Sequence, residues 1–382
     1  MDVYATDFAA FLPNKPVPNE EMEQVLGLVN HLPSRTRKII LRNNKIKARY
    51  YAIDPATGRT THTNAQLTAE AVRRLQPYPG FSINDIECLC CGTASPDQFF
   101  PAHASMVHGE LRNPTCEVVS TAGVCVSGMT AMKYAFMNVA QGLSRNAVAT
   151  GSEVASSFLR ARLCGSAVTP EKAQGVEKDP TLTFDADFLR WMLSDGAGAA
   201  FLTSTRPADR PALRLDWIEI LSFASQLEPC MYAGAVKNAD GTLSGWREFA
   251  PEEILRTGAL LVKQDVKLLN REVIKTSIDR TLPLLIRKHH LKPEQFRWFV
   301  PHYSSAYFRD KLHDHMVGIG FDIPLSRWFT NLTTKGNTGA AAIYIIIEEL
   351  LHAGRLERGD QLLCFIPESG RFCMCYMKLT VV

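Results

Sequence analysis

The feature that most restricts how this chain folds is an internal repeat. Phe81 to Ser95 and Leu291 to Ser305 each read as a short polar turn, an apolar strand and a polar tip ending in serine, at an offset of 210 positions. Farther along, Cys125 opens a helical pattern that stops at Gly142, and Asn337 opens one that stops at Gly354; both intervals are 17 positions. A duplicated pair of α/β lobes, each aiming a helix start of small residues at a shared cleft, accounts for both matches. The length of 382 residues agrees, being more than one core serves. We assign residues 1–205 to an N-terminal lobe and 206–382 to a C-terminal lobe, joined where Arg206-Pro207 and Arg210-Pro211 break regular structure. The aperiodic stretch Ser156 to Arg190 reads as an insertion covering the site.

Within the first lobe, Ser120-Thr121-Ala122-Gly123-Val124-Cys125-Val126-Ser127-Gly128-Met129 crowds small residues around one cysteine. Met129, Met132, Phe136 and Val139 follow at spacings of three and four, which predicts a helix with one buried face. Cys125 then falls in the first turn, where unpaired N–H groups and the positive end of the helix dipole favour a thiolate. A cysteine so placed is a nucleophile. The repeat supplies its partners: Asn337 at the equivalent helix start, and His302 just past the apolar strand Trp298 to Val300. Open α/β lobes gather ligand sites at the carboxyl ends of their strands, so the three residues converge.

The other cysteines carry no such signal. Cys88, Cys90 and Cys91 sit in the apolar run Ile86 to Cys91, and Cys373 and Cys375 alternate through Phe372 to Met377, as in strands that use cysteine as a small hydrophobe. No CxxC pair occurs, and no metal is assigned. The opening Met1-Asp2-Val3-Tyr4-Ala5 lacks a secretory pattern, and no apolar run reaches a membrane-spanning length, so a cytoplasmic protein without a membrane span is expected. A net charge of +3 is too mild for nucleic acid as a general partner. Its distribution is uneven. Between Ser34 and Ala52 stand Arg35, Arg37, Lys38, Arg42, Lys45, Lys47 and Arg49 with no acid among them. Lys263, Lys267, Arg271 and Lys275 fall four apart, predicting one stripe on a helix from about Glu253 to Arg280. Either run suits a solvated face, or a seat for phosphate or an acidic carrier. Elsewhere Val3 to Leu12 reads as a strand, Asn19 as the cap of an acidic helix, and Asn64 to Leu75 as a helix.

Several motifs occur together along nearly the whole chain: Leu12-Pro13-Asn14-Lys15, Gly92-Thr93-Ala94-Ser95-Pro96-Asp97, Ala122-Gly123-Val124-Cys125-Val126-Ser127-Gly128, Gly151-Ser152-Glu153-Val154, Ser194-Asp195-Gly196-Ala197-Gly198-Ala199, Val300-Pro301-His302 and Gly336-Asn337-Thr338. In combination they resemble the thiolase-fold condensing enzymes, and within them β-ketoacyl-acyl-carrier-protein synthase III. The resemblance implies an α/β thiolase-like fold of two duplicated lobes in five αβαβα layers, a homodimer, and no cofactor beyond thioesters of coenzyme A or acyl carrier protein. It implies that Cys125 takes an acyl group, with the oxyanion held by the N–H groups of Cys125 and Gly370. His302 and Asn337 would then stabilise the enolate of a second thioester, which attacks the acyl-Cys. Arg49, Lys263, Lys267, Arg271, Lys275 and Arg309 become candidate contacts for carrier protein or coenzyme A, and Phe99, Phe100 and Phe158 candidates for the acyl pocket.

The chain departs from that pattern in several places, among them a longer interval from Cys125 to His302. Pro367-Glu368-Ser369-Gly370-Arg371-Phe372 replaces a loop of three glycines, placing two charges beside the expected site, and Tyr303-Ser304-Ser305 follows His302 where the family has Gln-Ala-Asn. These differences resemble a specialised branch that joins two thioesters, whose members make cyclohexanediones and dialkylresorcinols. Two other functions use the same residues: acyl transfer to an alcohol or amine, and a non-catalytic partner that scaffolds an active homologue. The joint presence of Cys125, His302 and Asn337 argues against the scaffold.

Overall fold

A computed structural model describes residues 1–161, 188–208 and 210–382. Most of the insertion expected over Ser156 to Arg190 therefore lies outside the described residues. Nine strands carry the fold: β1 (Tyr4–Phe11), β2 (Cys88–Thr93), β3 (Glu117–Ala122), β4 (Asn146–Glu153), β5 (Gly196–Thr203), β6 (Leu213–Ser222), β7 (Trp298–Pro301), β8 (Gln361–Glu368) and β9 (Cys373–Val381). They form one mixed sheet in the order β7-β8-β9-β6-β1-β5-β4-β2-β3. At its centre β6 meets β1 through only two residue pairs, Tyr4 with Arg214 and Ala5 with Leu213. By contrast β1 and β5 share seven pairs and β6 and β9 share nine. The sheet is thus two half-sheets joined at a thin seam.

Eight helices matter for the site: α1 (Arg37–Asn44), α2 (Asn64–Arg73), α3 (His103–Leu111), α4 (Ser127–Ala140), α5 (Val266–Ile274), α6 (Leu282–His289), α7 (Arg309–Gly318) and α8 (Ala342–His352). Side chains alternate across each strand, so each half-sheet has an inner and an outer face. Cys88 and Cys90 of β2 point inward with Cys364 of β8 and Cys375 of β9, joining Met129 and Met132 of α4 and Ile343, Ile346 and Ile347 of α8 in one core. Leu89 faces the other way, onto Leu67 and Val72 of α2 and Val107 of α3. Phe365 likewise faces outward, onto Leu269 of α5 and Leu312 of α7. Three apolar cores between five layers result, and the α8 run Ile343-Tyr344-Ile345-Ile346-Ile347 is buried on all sides because sheets flank it.

The repeat read from the sequence is present residue for residue. One-turn 3₁₀ helices at Ile83–Asp85 and Pro293–Gln295 precede strands beginning at Cys88 and Trp298, each pair 210 positions apart. Gly142 and Gly354 both adopt positive φ just beyond α4 and α8. Two expectations need correction. Asn19 caps no helix: the short helix Met22–Leu26 starts after Glu21, while the Asn19 amide donates to the Ile46 carbonyl and accepts from Arg49. The long helix from Glu253 to Arg280 is broken. A helix Pro251–Thr257 ends at left-handed Gly258, Lys263–Gln264 forms a short strand with Met231–Tyr232, and α5 restarts after the Asp265 cap. Among the described residues no helix is long and apolar enough to cross a membrane.

Candidate active site

The two inner helices bring the site together because glycine lets their starts touch. Gly128 in the first turn of α4 and Gly151 in β4 both press against the Ala340 carbonyl just before α8, and the Tyr344 hydroxyl donates to the Gly128 carbonyl at 2.7 Å. A side chain at Gly151 would place its Cβ 2.1 Å from that oxygen. Cys125 and Asn337 are thereby held at one cleft, each just ahead of a helix from a different lobe. Asn337 is also fixed from behind: its N–H donates to the Met192 carbonyl at 2.9 Å, and its carbonyl accepts from the Ser194 N–H at 2.8 Å.

Cys125, His302 and Asn337 line one cavity of about 340 Å³. His302 follows β7, with its backbone N–H bonded to the Phe365 carbonyl at 2.8 Å. Burial pushes its imidazole down to about 4, so it is neutral at physiological pH. The Asn337 Oδ1 accepts from the Gly339 N–H at 2.9 Å, which orients the amide and leaves Nδ2 as the donor not engaged by any described group. Phe158, Leu189, Met192 and Leu193 form one wall of the cavity, and Leu269, Val273 and Ile274 of α5 another. Ser277 lines it from a wide π-turn, Lys275–Thr281, that links α5 to α6.

The electrostatics of Cys125 differ from the sequence expectation. It lies before the Val126 cap of α4 rather than in the first helical turn. Its thiol is held well above the ordinary cysteine range, first by burial and then by the nearby carboxylates of Glu368 and Glu153. Cys125 therefore rests as a thiol.

Both acids are part of the site. Glu153, at the end of β4, accepts from Ala94 N–H, Ala340 N–H and the Ser95 hydroxyl, and burial pushes it up to about 7. Its signal in the sequence was an acid at the tip of an apolar strand, in Gly151-Ser152-Glu153. Glu368, at the end of β8, accepts at 2.9 Å from the N–H groups of both Val124 and Val126, the residues on either side of Cys125. Gly370 makes room: its carbonyl accepts from the Cys230 and Met231 N–H groups. Its own N–H is engaged by no described group, and that of Cys125 turns toward the Cys125 sulfur.

Other candidate residues fall in different places. Phe158 lines the cavity, but Phe99 and Phe100 do not; they are 66% and 82% exposed, with Phe99 stacked on Trp246. Arg49 is fully buried, its guanidinium donating to Asn19 Oδ1 and the Trp191 carbonyl, so it ties Asn19 to Trp191 beside the cavity wall and cannot meet a carrier. Lys263 lies on a strand, with its ammonium on the Thr257 carbonyl and over the Tyr232 ring, apart from the helical stripe. Lys267 and Arg271 of α5 and Lys275 just after it are exposed at the expected spacing of four. Arg309 is exposed at the start of α7, close to the turn Ala306–Phe308 against which the basic helix α1 packs. Among the described residues no cluster of His, Cys, Asp and Glu is arranged to hold a metal ion.

Comparison with known proteins shows what this chain is similar to. The model for the 3-oxoacyl-[acyl-carrier-protein] synthase III C-terminal region matches residues 286–370. The β-ketoacyl-[acyl-carrier-protein] synthase III of Clostridium perfringens is 24% identical over 356 residues, 93% of this chain and 92% of that protein. AbyA1, a tetronic acid condensing enzyme, superimposes with a TM-score of 0.73 at 18% identity over 99% of both chains. A cysteine-to-serine form of Xanthomonas campestris OleA, with bound lauric acid and lauroyl-CoA, does so at 0.73 and 18% over 100% of this chain and 99% of that one. The matched C-terminal region, the end-to-end similarity and the shared fold make this chain similar to the thiolase-superfamily condensing enzymes of the β-ketoacyl-acyl-carrier-protein synthase III kind.

Proposed function

We propose that the chain is a ketosynthase, an acyltransferase that carries an acyl group on Cys125 and joins it, in a Claisen-type condensation, to a second thioester in fatty acid or secondary-metabolite biosynthesis. The observation that carries this reading is the one apolar cavity lined together by Cys125, neutral His302 and Asn337, whose Nδ2 no described group engages. The thiol sulfur attacks the acyl thioester, and the N–H groups of Cys125 and Gly370 receive the developing oxyanion. After the carrier thiol leaves, the second thioester enters. With a malonyl thioester the bond to its carboxylate breaks and CO2 leaves, while Asn337 Nδ2 and a His302 N–H donate to the thioester carbonyl and hold the enolate. The enolate carbon attacks the acyl-Cys125 carbonyl, the carbon–sulfur bond breaks, and the released Cys125 sulfur takes a proton from solvent.

The apolar walls from Phe158 to Leu193 and from Leu269 to Ile274 suit a hydrocarbon chain, and OleA holds lauroyl-CoA in the same fold. Acyl carrier protein or coenzyme A delivers the substrates, docking on the exposed Lys267, Arg271 and Lys275 and on α1 with Arg309. The reading includes a cytoplasmic homodimer, with exposed Phe99 and Phe100 at the subunit contact, and chemistry supplied by the chain's own residues without a further cofactor.

The test is to weigh the intact protein after incubation with a panel of acyl-CoA and acyl-carrier thioesters, then to identify products with malonyl and β-ketoacyl partners. The expected result is one acyl mass on Cys125, absent in Cys125→Ala. Asn337→Ala is expected to slow condensation about 10²-fold while acylation changes less than threefold. Equal losses in both steps would remove the enolate role, and transfer of acyl to an alcohol or amine without carbon–carbon bond formation would replace the condensation.

A further inference from the structure

Glu368 has no counterpart in the three-glycine loop of the resembled family, yet it is the side chain most tightly built into the nucleophile turn. One oxygen, Oε2, takes the N–H groups of Val124 and Val126 at 2.9 Å each. The other, Oε1, accepts no hydrogen bond from any described group. Space for the carboxylate exists because its neighbours lack side chains. A Cβ at Gly123 would stand 3.4 Å from Oε2, and one at Gly370 would stand 3.3 Å from Oε1. The neighbouring Arg371 does not neutralise it, since its guanidinium turns away to the Leu227 carbonyl.

We propose that Glu368 is the acid–base group of acyl transfer, taking the Cys125 proton as sulfur attacks the thioester and returning it to the departing thiol. The S–H bond breaks as the S–C bond forms, and the proton moves to Oε1 while Oε2 keeps the carboxyl in place. When the tetrahedral intermediate collapses, the carbon–sulfur bond to the carrier breaks, and the carrier sulfur takes the proton from the Glu368 carboxylic acid. Charge and atoms balance, and Glu368 ends as it began. This rests on Cys125 being the acyl acceptor. Burial sets the two groups for the exchange: it holds the thiol protonated and raises Glu368 above the usual carboxylate range, against the lowering effect of the Val126 and Val124 N–H groups. The other titratable groups nearby are Cys373, paired across the hairpin with Glu368, and Glu153 and His302 in the cavity. Cys373 is a half-buried thiol whose pKa is raised, first by burial, and His302 is neutral, so neither supplies a counter-charge.

Two measurements test it on the full-length protein: single-turnover acylation of Cys125 by lauroyl-CoA, and alkylation of Cys125 by iodoacetamide from pH 5 to pH 10, both read by peptide mass. In the parent, alkylation is expected to rise as Glu368 ionises and then hold a plateau below the thiol's own titration. Glu368→Gln, whose amide oxygen can still accept from both N–H groups, is expected to lose that plateau and to acylate about 10²-fold more slowly or worse. Glu368→Asp should keep the plateau with a smaller loss. Acylation of Glu368→Gln within threefold of the parent, or faster, overturns the assignment. So does a parent profile with a single rise at high pH, which requires no variant to fold. If the plateau vanishes in Glu368→Gln but the parent gains no acyl mass, proton exchange stands and the acyl-transfer reading falls.

Discussion

Gly151→Ala tests whether contact between the two helix starts sets the catalytic geometry. A Cβ there lies 2.1 Å from the Ala340 oxygen and 2.7 Å from its carbonyl carbon. Carbon and carbonyl oxygen settle at about 3.4 Å, so backbone must separate by about 1.3 Å. No rotamer change absorbs this, because the obstructing atoms are main chain. Forced overpacking of this kind typically costs about 1–3 kcal/mol, and the rigid partner puts Gly151→Ala at the upper end. The displaced segment begins three residues after Asn337, so the Nδ2 donor moves by about 1 Å, a misplacement that costs about 10²-fold in rate. Cys125 belongs to the other lobe and keeps its local turn. Acylation should therefore stay within about fivefold of the parent while condensation falls about 10²-fold, by intact mass and product quantification, and urea unfolding should show the stability loss. Gly109→Ala, in α3 with nothing within 4 Å of the new Cβ, is the control and should be neutral or slightly stabilising. Parental condensation and stability in Gly151→Ala would refute the reasoning.

Two further outcomes follow from burial and charge. Glu153 has a folded pKa of about 7 against an ordinary 4.5, so the folded state favours its protonated form. That contribution is full below about pH 4.5 and is lost as pH rises through 7, at a cost on the order of 3 kcal/mol. Glu153→Gln keeps an acceptor for the Ala94 and Ala340 N–H groups and removes the ionisation, so its stability relative to the parent should rise by about that amount between pH 4.5 and pH 8 in urea unfolding. His302, whose pKa is depressed, contributes the opposite slope in both proteins and cancels. Reversing charge at Lys267, Arg271 and Lys275 to Glu should raise KM for carrier-bound thioester at least tenfold at low salt and much less at high salt. Buried Arg49→Met should leave that KM within twofold; a larger change would return Arg49 to the docking surface.

The duplication was legible because each repeated unit is local: turn, strand and helix stop are spelled by neighbouring residues, and Cys88 and Trp298 begin strands at the expected offset. Cys125, His302 and Asn337 came from the same logic. What failed depended on distant partners or on ignored punctuation. Arg49 looks like a surface cation until Asn19 and Trp191 close over it. Lys263 fits a spacing of four only if Gly258 and Asp265 are overlooked, although a glycine stop and an aspartate cap are both visible. Nothing near Glu368 in the sequence reveals that it meets N–H groups more than 240 positions away. Cys125 was expected to be activated by its helix; burial beside two carboxylates outweighs a dipole whose effect is confined to about one turn.

The ties between Asn337 and Met192 and Ser194 have a consequence for how such an enzyme changes its substrate. Leu189, Met192 and Leu193 are cavity wall, and the same few residues grip the backbone that aims the Asn337 amide. On the proposed reading, chain-length selection and enolate stabilisation would be mechanically one part. A remodelled wall that accommodates a longer or branched acyl group shifts the donor unless Met192 and Ser194 stay put, so new specificities are expected to arise at the opposite wall, where Leu269, Val273 and Ile274 can be exchanged without disturbing the donor.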